Sequence, residues 1–342
     1  MMDLSGDSGS FGKDEYDYDY DDHKDRPHHG LYYAFDLILF IMYCLVFVLG
    51  GLGNGAVIWV TGFRLKKSIN AIWFLNLAVS DFLFVVFLPL TVTDEVMGGR
   101  WPFGSFMCKL NYSVDILTMY TSAYVLVAIS VDRCVAVVWP VWAQNHRSVR
   151  KASYASLSVW ALSLTLSTPG FILIDTRTFQ NSTISYCYIN PSNDEGPLAE
   201  VEQRRHQIWA WDLSRLLLGL VVPLSIIVSC LAVVWRKNSL AGSHLGHPLK
   251  ITAAVVTAYF LCWAPFHIMT FIPKHSISEM AMLFIAVSLM LLSRCVNPLL
   301  YVLMGQGKGK GCKPVLKVLE SVFAEEEPGS NPPATFSLSD AE

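Results

Sequence analysis

The chain has 342 residues, 53% of them hydrophobic and only 15% charged, too apolar a balance for an ordinary soluble domain. Its net charge of −3 is small. No basic surface survives outside short loops, which excludes nucleic acid as a partner.

Residues 1–33 read as a disordered acidic segment. Over residues 1–35, nine acids stand against three bases (Lys13, Lys24 and Arg26). Tyr16, Tyr18 and Tyr20 alternate with Asp17, Asp19 and Asp21. Tyrosines in such surroundings are good substrates for sulfation. The segment is a polyanion that would steer a basic protein ligand; the plainer alternative is a solvated tail with no partner. It contains no apolar run to serve as a cleavable signal core, so the first apolar helix is expected to do the targeting.

Seven apolar stretches follow, at 34–62, 70–93, 106–136, 152–174, 209–235, 249–272 and 280–304. Each is long enough to cross a hydrocarbon layer about 30 Å thick. Because a lipid-facing backbone must satisfy itself, an all-α bundle of seven transmembrane helices over residues 34–304 is predicted. The partner of these faces is the lipid bilayer of the plasma membrane. Basic residues cluster after the odd-numbered spans: Arg64, Lys66 and Lys67; Arg147, Arg150 and Lys151; Arg236 and Lys237; Lys308, Lys310, Lys313 and Lys317. Arg100, Arg177, Arg204, Arg205 and Lys274 are exceptions on the other side. The balance predicts an extracellular N-terminus and a cytoplasmic tail over 305–342. No internal symmetry of the transporter kind is visible, and the Gly-x-Gly-Asp string of an intramembrane protease is absent. No enzyme, cofactor or metal centre is expected.

Polar residues inside spans are costly and therefore carry information. Here they are Gly53-Asn54, then Asn76 to Asp81, Asp132-Arg133-Cys134, Trp160, Cys262-Trp263-Ala264-Pro265, and Asn297-Pro298-Leu299-Leu300-Tyr301. In this order and spacing, over nearly the whole chain, they resemble the class A, rhodopsin-like G-protein-coupled receptors. Pro265 and Pro298 each remove a helix hydrogen bond and create hinge points. The resemblance implies that Trp263 is a rotamer switch below the ligand and that Tyr301 repacks inward on activation. It also implies that Arg133 pairs with Asp132 at rest and meets the G protein when active. Cys134 stands where the family usually has Tyr, a departure shared by formyl-peptide-type receptors. No acid lies at Leu245 or Gly246, so a lock from Arg133 to the sixth span is not available. Of eight cysteines, only Cys108 and Cys187 fall plainly in the oxidising compartment, and they are expected to pair. Cys44, Cys134, Cys230, Cys262 and Cys295 read as free thiols; Cys312, in the tail, is a palmitoylation candidate.

Three strings, Asn70 to Ala78, Trp139 to Arg147 and Leu303 to Gln306, look like the chemoattractant branch of the family, closest to the chemerin and formyl peptide receptors. That likeness implies an extracellular peptide or protein ligand and a heterotrimeric G protein of Gi type. Prostaglandin D2-type lipid receptors, anaphylatoxin receptors and a weakly coupling scavenger remain as alternatives. Residues 176–189, rich in β-branched side chains, predict a hairpin over the pocket. Asn181-Ser182-Thr183 at its turn is the best glycosylation sequon; Asn111-Tyr112-Ser113 lies inside a span. Arg215 falls eight residues before Pro223, where the branch grips an anionic ligand group; its planar fork suits a carboxylate. Asp115 is a second ligand candidate, for a cation; alternatively the two residues pair with each other. An amine receptor also has an acid at Asp115, but the surrounding strings do not match, and an opsin's lysine is missing from 280–304.

Asp81, Ser122 and Trp263 resemble the allosteric sodium site of the class, whose usual Asn-Ser pair is here Ser293-Arg294. An unpaired arginine at mid-membrane costs about 2.5–3.5 kcal/mol. An Asp81–Arg294 salt bridge in place of sodium is therefore predicted, the alternative being Arg294 turned onto another helix's carbonyls. Beyond the last span, Gly305 to Gly311 weakens the start of an eighth helix. An amphipathic pattern resumes at Val315, Leu316, Val318, Leu319, Val322 and Phe323. Ser330, Thr335, Ser337 and Ser339 are few phosphorylation candidates, so an arrestin partner is only weakly encoded.

Overall fold

The computed structural model describes residues 29–178, 184–189, 198–240, 247–272, 276–305 and 314–324. Seven helices long and apolar enough to cross a membrane run over Tyr33–Arg64, Ile69–Val96, Gly104–Val138, Val149–Leu173, His206–Leu240, Leu249–Met269 and Ile277–Met304. Each coincides with one of the apolar stretches read from the sequence.

In chain order the elements are α1 (His29–Trp59), α2 (Ile69–Val96), α3 (Gly104–Val138), a short α4 (Pro140–His146), α5 (Val149–Leu173) and a hairpin of β1 (Ile174–Thr178) and β2 (Ser185–Ile189). Then come α6 (Leu198–Leu216), α7 (Val222–Leu240), α8 (His247–Met269), α9 (Ile277–Gly305) and α10 (Val315–Ala324). α6 and α7 form one span, joined by a π-turn at Leu217–Val221. Pro223 has no N–H for the Gly219 carbonyl, and the ladder passes through a wider turn in which Val222 N–H reaches Leu217 O. The sequence reading did not anticipate this turn.

Local chemistry sets several starts. Ser68 and Ser148 accept hydrogen bonds from the N–H groups of Ala71 (3.1 Å) and Lys151 (3.3 Å), capping α2 and α5. α9 opens on a reciprocal capping box: Ser276 N–H donates to Glu279 Oε2 at 2.8 Å, and Glu279 N–H to Ser276 Oγ at 3.3 Å.

α3 is the central post: 67% of its apolar stretch is buried, against 17% for α1. Leu37, Ile41, Leu45, Val48 and Leu52 of α1 stay exposed, the face a bilayer would cover. Gly53 permits a close approach to α9, since a Cβ there would lie 3.0 Å from Pro298 Cβ. α10 lays Val318, Leu319 and Val322 against the bundle core.

Candidate functional site

At one end of the bundle the hairpin is fastened to α3. Cys187 of β2, opposite Thr176 of β1, forms a disulfide with Cys108. Trp101 N–H donates to Ser185 O at 2.7 Å, and Trp101, Cys108 and Ile174 form a small buried cluster. Asp175 accepts from the Ser105 hydroxyl and pairs with Lys109 Nζ at 2.9 Å. These contacts, the Ser105 hydrogen bond foremost, hold the Asp175 carboxyl below its ordinary range.

Below the hairpin, Arg215 points from α6 toward α8. Its guanidinium carbon lies 5.8 Å from the Phe266 ring and 5.9 Å from Trp211. Its ion pair is a loose one, 3.7 Å to Asp212 on its own helix, and its Nε is buried without a hydrogen-bond partner. An Asp115–Arg215 pair is not formed. Each acid or base has found a nearer group, Arg215 the residue three before it and Asp115 the guanidinium of Arg294 at 3.9 Å. Asp115 Oδ1 is buried with no hydrogen bond, while the side chain as a whole is 38% exposed.

One turn deeper, α2, α3 and α9 meet around a buried charge pair. Arg294 Nη1 lies 3.1 Å from Asp81 Oδ1, with the two side chains 1% and 2% exposed. Arg294 Nη2 donates to Thr118 Oγ1 at 3.2 Å. The guanidinium stacks on Phe84 (4.4 Å) and reaches Trp263 (5.1 Å). Asn297 Nδ2 donates to Asp81 Oδ2 at 2.8 Å, and Ser122 Oγ to Oδ1 at 3.5 Å. Asn54 of α1 donates to the Arg294 carbonyl at 2.9 Å. Thr118 went unnoticed in the sequence, although it lies three residues after Asp115 and so on the same face of α3.

At the opposite end the structure departs from the family pattern. Asp132 is held by Arg147, whose Nε donates to Oδ1 at 2.8 Å, and not by Arg133. Arg133 Nη2 instead donates to Asn70 Oδ1, at the buried start of α2. Neighbours in a helix point about 100° apart, so Asp132 and Arg133 face different partners. Lys237 Nζ donates to Val138 O at 2.7 Å, tying α7 to α3. Pro265 and Pro298 lie inside α8 and α9, and the fully buried Tyr301 packs edge-on against Phe74 with centroids 5.0 Å apart.

Cys44, Cys134, Cys230, Cys262 and Cys295 are free. Asn111 is buried and its amide donates to Thr91 Oγ1, which leaves no room for a glycan. Tyr16, Tyr18, Tyr20, Asn181 and Cys312, and the Leu245–Gly246 position, lie outside the described residues. Among the described residues, no group of three or more His, Cys, Asp or Glu could hold a metal ion.

The family model for 7 transmembrane receptors of the rhodopsin family matches residues 53–301. The chain is 37% identical over 317 residues to human chemerin-like receptor 1, covering 87% of this chain and 83% of that protein. It is 36% identical over 296 residues to the C3a anaphylatoxin chemotactic receptor of Danio rerio (85% and 78%). It is also 36% identical over 288 residues to the fMet-Leu-Phe receptor of Pongo pygmaeus (80% and 82%). Seven spans, a disulfide-anchored hairpin above a polar core and this similarity lead to one conclusion: the chain belongs to the rhodopsin family of G-protein-coupled receptors, among its chemoattractant members, a multi-pass plasma-membrane protein and not an enzyme.

Proposed function

We propose that the hairpin end faces outward and that the receptor answers an extracellular peptide or protein chemoattractant by activating a Gi-type G protein. The observation that carries this reading is Arg215. A guanidinium walled by Trp211 and Phe266, with a loose partner at 3.7 Å and an orphaned Nε, has donor capacity to spare for an anionic ligand group such as a C-terminal carboxylate. Asp115, partly exposed nearby, offers a complementary acceptor for a ligand cation. The acidic tyrosine segment would raise the local concentration of a basic ligand.

Signal passage follows from the packing. Phe266, which touches Arg215, packs edge-on against Trp263, with centroids 6.1 Å apart, next to Pro265. A ligand group drawn to Arg215 therefore presses on α8 at its proline, and the far end of α8 swings away from α3. That would free the end of α3 carrying Arg133 to meet a G protein.

The test is a screen of chemerin peptide, formyl peptides, C3a and prostaglandin D2 for pertussis-toxin-sensitive suppression of cyclic AMP in cells displaying the receptor. A peptide response lost in Arg215→Gln supports the reading. A response to prostaglandin D2 alone replaces it with the lipid reading, which the aromatic walls around Arg215 would also suit. Arrestin recruitment, measured alongside, separates coupling from scavenging.

A further inference from the structure

The resemblance of the Asp81 site to the sodium site of its class implies a mobile sodium ion here, and the residues present do not fit one. Both Asp81 oxygens are already engaged, Oδ1 by Arg294 and Ser122, Oδ2 by Asn297. Ser293 turns its hydroxyl back onto the Met290 carbonyl at 2.6 Å. The Ser122 hydroxyl lies 3.1 Å from that of Ser80. The space between Asp81, Phe84 and Trp263 is filled by the guanidinium itself. Two unit charges about 4 Å apart at an effective dielectric of 20 repel enough to weaken sodium binding roughly a thousandfold.

We propose that Arg294 is a tethered counter-ion. The chain carries covalently the charge that a dissolved cation would otherwise bring, so its core does not respond to sodium. Tethering also adds a connection that a free ion lacks. Through Nη2 the same guanidinium reaches Thr118 at 3.2 Å and the buried Asp115 Oδ1 at 3.9 Å, so one cation is shared by a fully buried acid and a partly exposed one a turn away on α3. Asn54 and Asn297 fix the backbone and the carboxylate at either side, leaving the guanidinium as the part free to redistribute between the two acids. A positive group brought to Asp115 would push it wholly onto Asp81. This proposal holds whichever ligand the receptor takes, and its failure leaves the ligand reading untouched.

The experiment measures the melting temperature of the purified full-length receptor in sodium chloride and in choline chloride at equal ionic strength. The expected result is no difference for the wild type. In Arg294→Ser, sodium should raise the melting temperature by roughly 2 °C at tenfold over its dissociation constant, and the rise should vanish in the Asp81→Asn/Arg294→Ser double variant. Asp115→Asn should remain indifferent to sodium, because Arg294 still neutralises Asp81. A sodium-dependent rise in the wild type overturns the proposal, as does a folded Arg294→Ser that ignores sodium. Should Arg294→Ser not fold, the wild type decides alone, with Arg294→Lys expected to stay indifferent as well.

Discussion

Replacing Asn70 by leucine tests what restrains Arg133 at rest. Asn70 is 5% exposed and presents its side-chain carbonyl to Arg133 Nη2, while Asp132 is occupied by Arg147. A hydrogen bond to a charged group contributes about 1.5–3 kcal/mol, which is roughly 10- to 150-fold in an equilibrium. Arg133 is only half-buried, so the lower end applies. If about 1% of resting receptors are active, a tenfold shift brings the share to about 9%. Asn70→Leu should therefore raise agonist-free nucleotide exchange on a Gi-type G protein several-fold, measured in nanodiscs at matched receptor amounts. Asn70→Asp keeps the acceptor and adds charge, and should lower basal exchange below wild type. Unchanged basal exchange in a normally folded Asn70→Leu, or a rise in Asn70→Asp, would refute the assignment.

Asp81→Asn leaves the buried guanidinium with only the longer 3.9 Å contact to Asp115 and should cost about 3 kcal/mol, the low end for a broken buried pair, read as a lower melting temperature; adding Arg294→Met should recover most of it. Arg215→Gln should abolish the response to any agonist that the wild type recognises through an anionic end, with Arg215→Lys retaining part of it because a point charge cannot hold a carboxylate bidentately. Asp175, with its folded pKa depressed, contributes stability that is present above the ordinary carboxylate value and lost as pH falls through the depressed one. Hydrogen-exchange protection of β2 should accordingly hold from pH 7 to about 4, corrected for intrinsic rates, and fall only below that. Loss of protection near pH 6 would show that Asp175 does not govern hairpin docking.

The spans were readable because lipid permits few alternatives: an apolar run of this length has to satisfy its own backbone. The meeting of Asp81 and Arg294 was readable for a related reason, since a mid-membrane arginine must find an acid and few acids stand at that depth. What could not be read were choices among near-equal partners. Asp132 had Arg133 beside it and Arg147 fifteen residues on, and only the folded turn through α4 brings Arg147 round to it. Asp115 and Arg215 carry opposite charges, but charge alone does not say that Arg294 will reach one and Asp212 the other. The π-turn before Pro223 had a signal in the proline, yet a proline alone does not distinguish a kink from a widened turn.

The missing side chain at Gly53 has a mechanical consequence. With only hydrogen between α1 and the Pro298 ring, the two helices touch backbone to ring at the point where α9 is weakest. α1 is thereby placed to serve as a fulcrum: were the part of α9 carrying Tyr301 to turn, it would turn about that contact, while the part carrying Arg294 is pinned by Asn54. A methyl group at residue 53 would be a wedge under the lever, prying α1 from α9 between the half that carries Arg294 and the half that carries Tyr301.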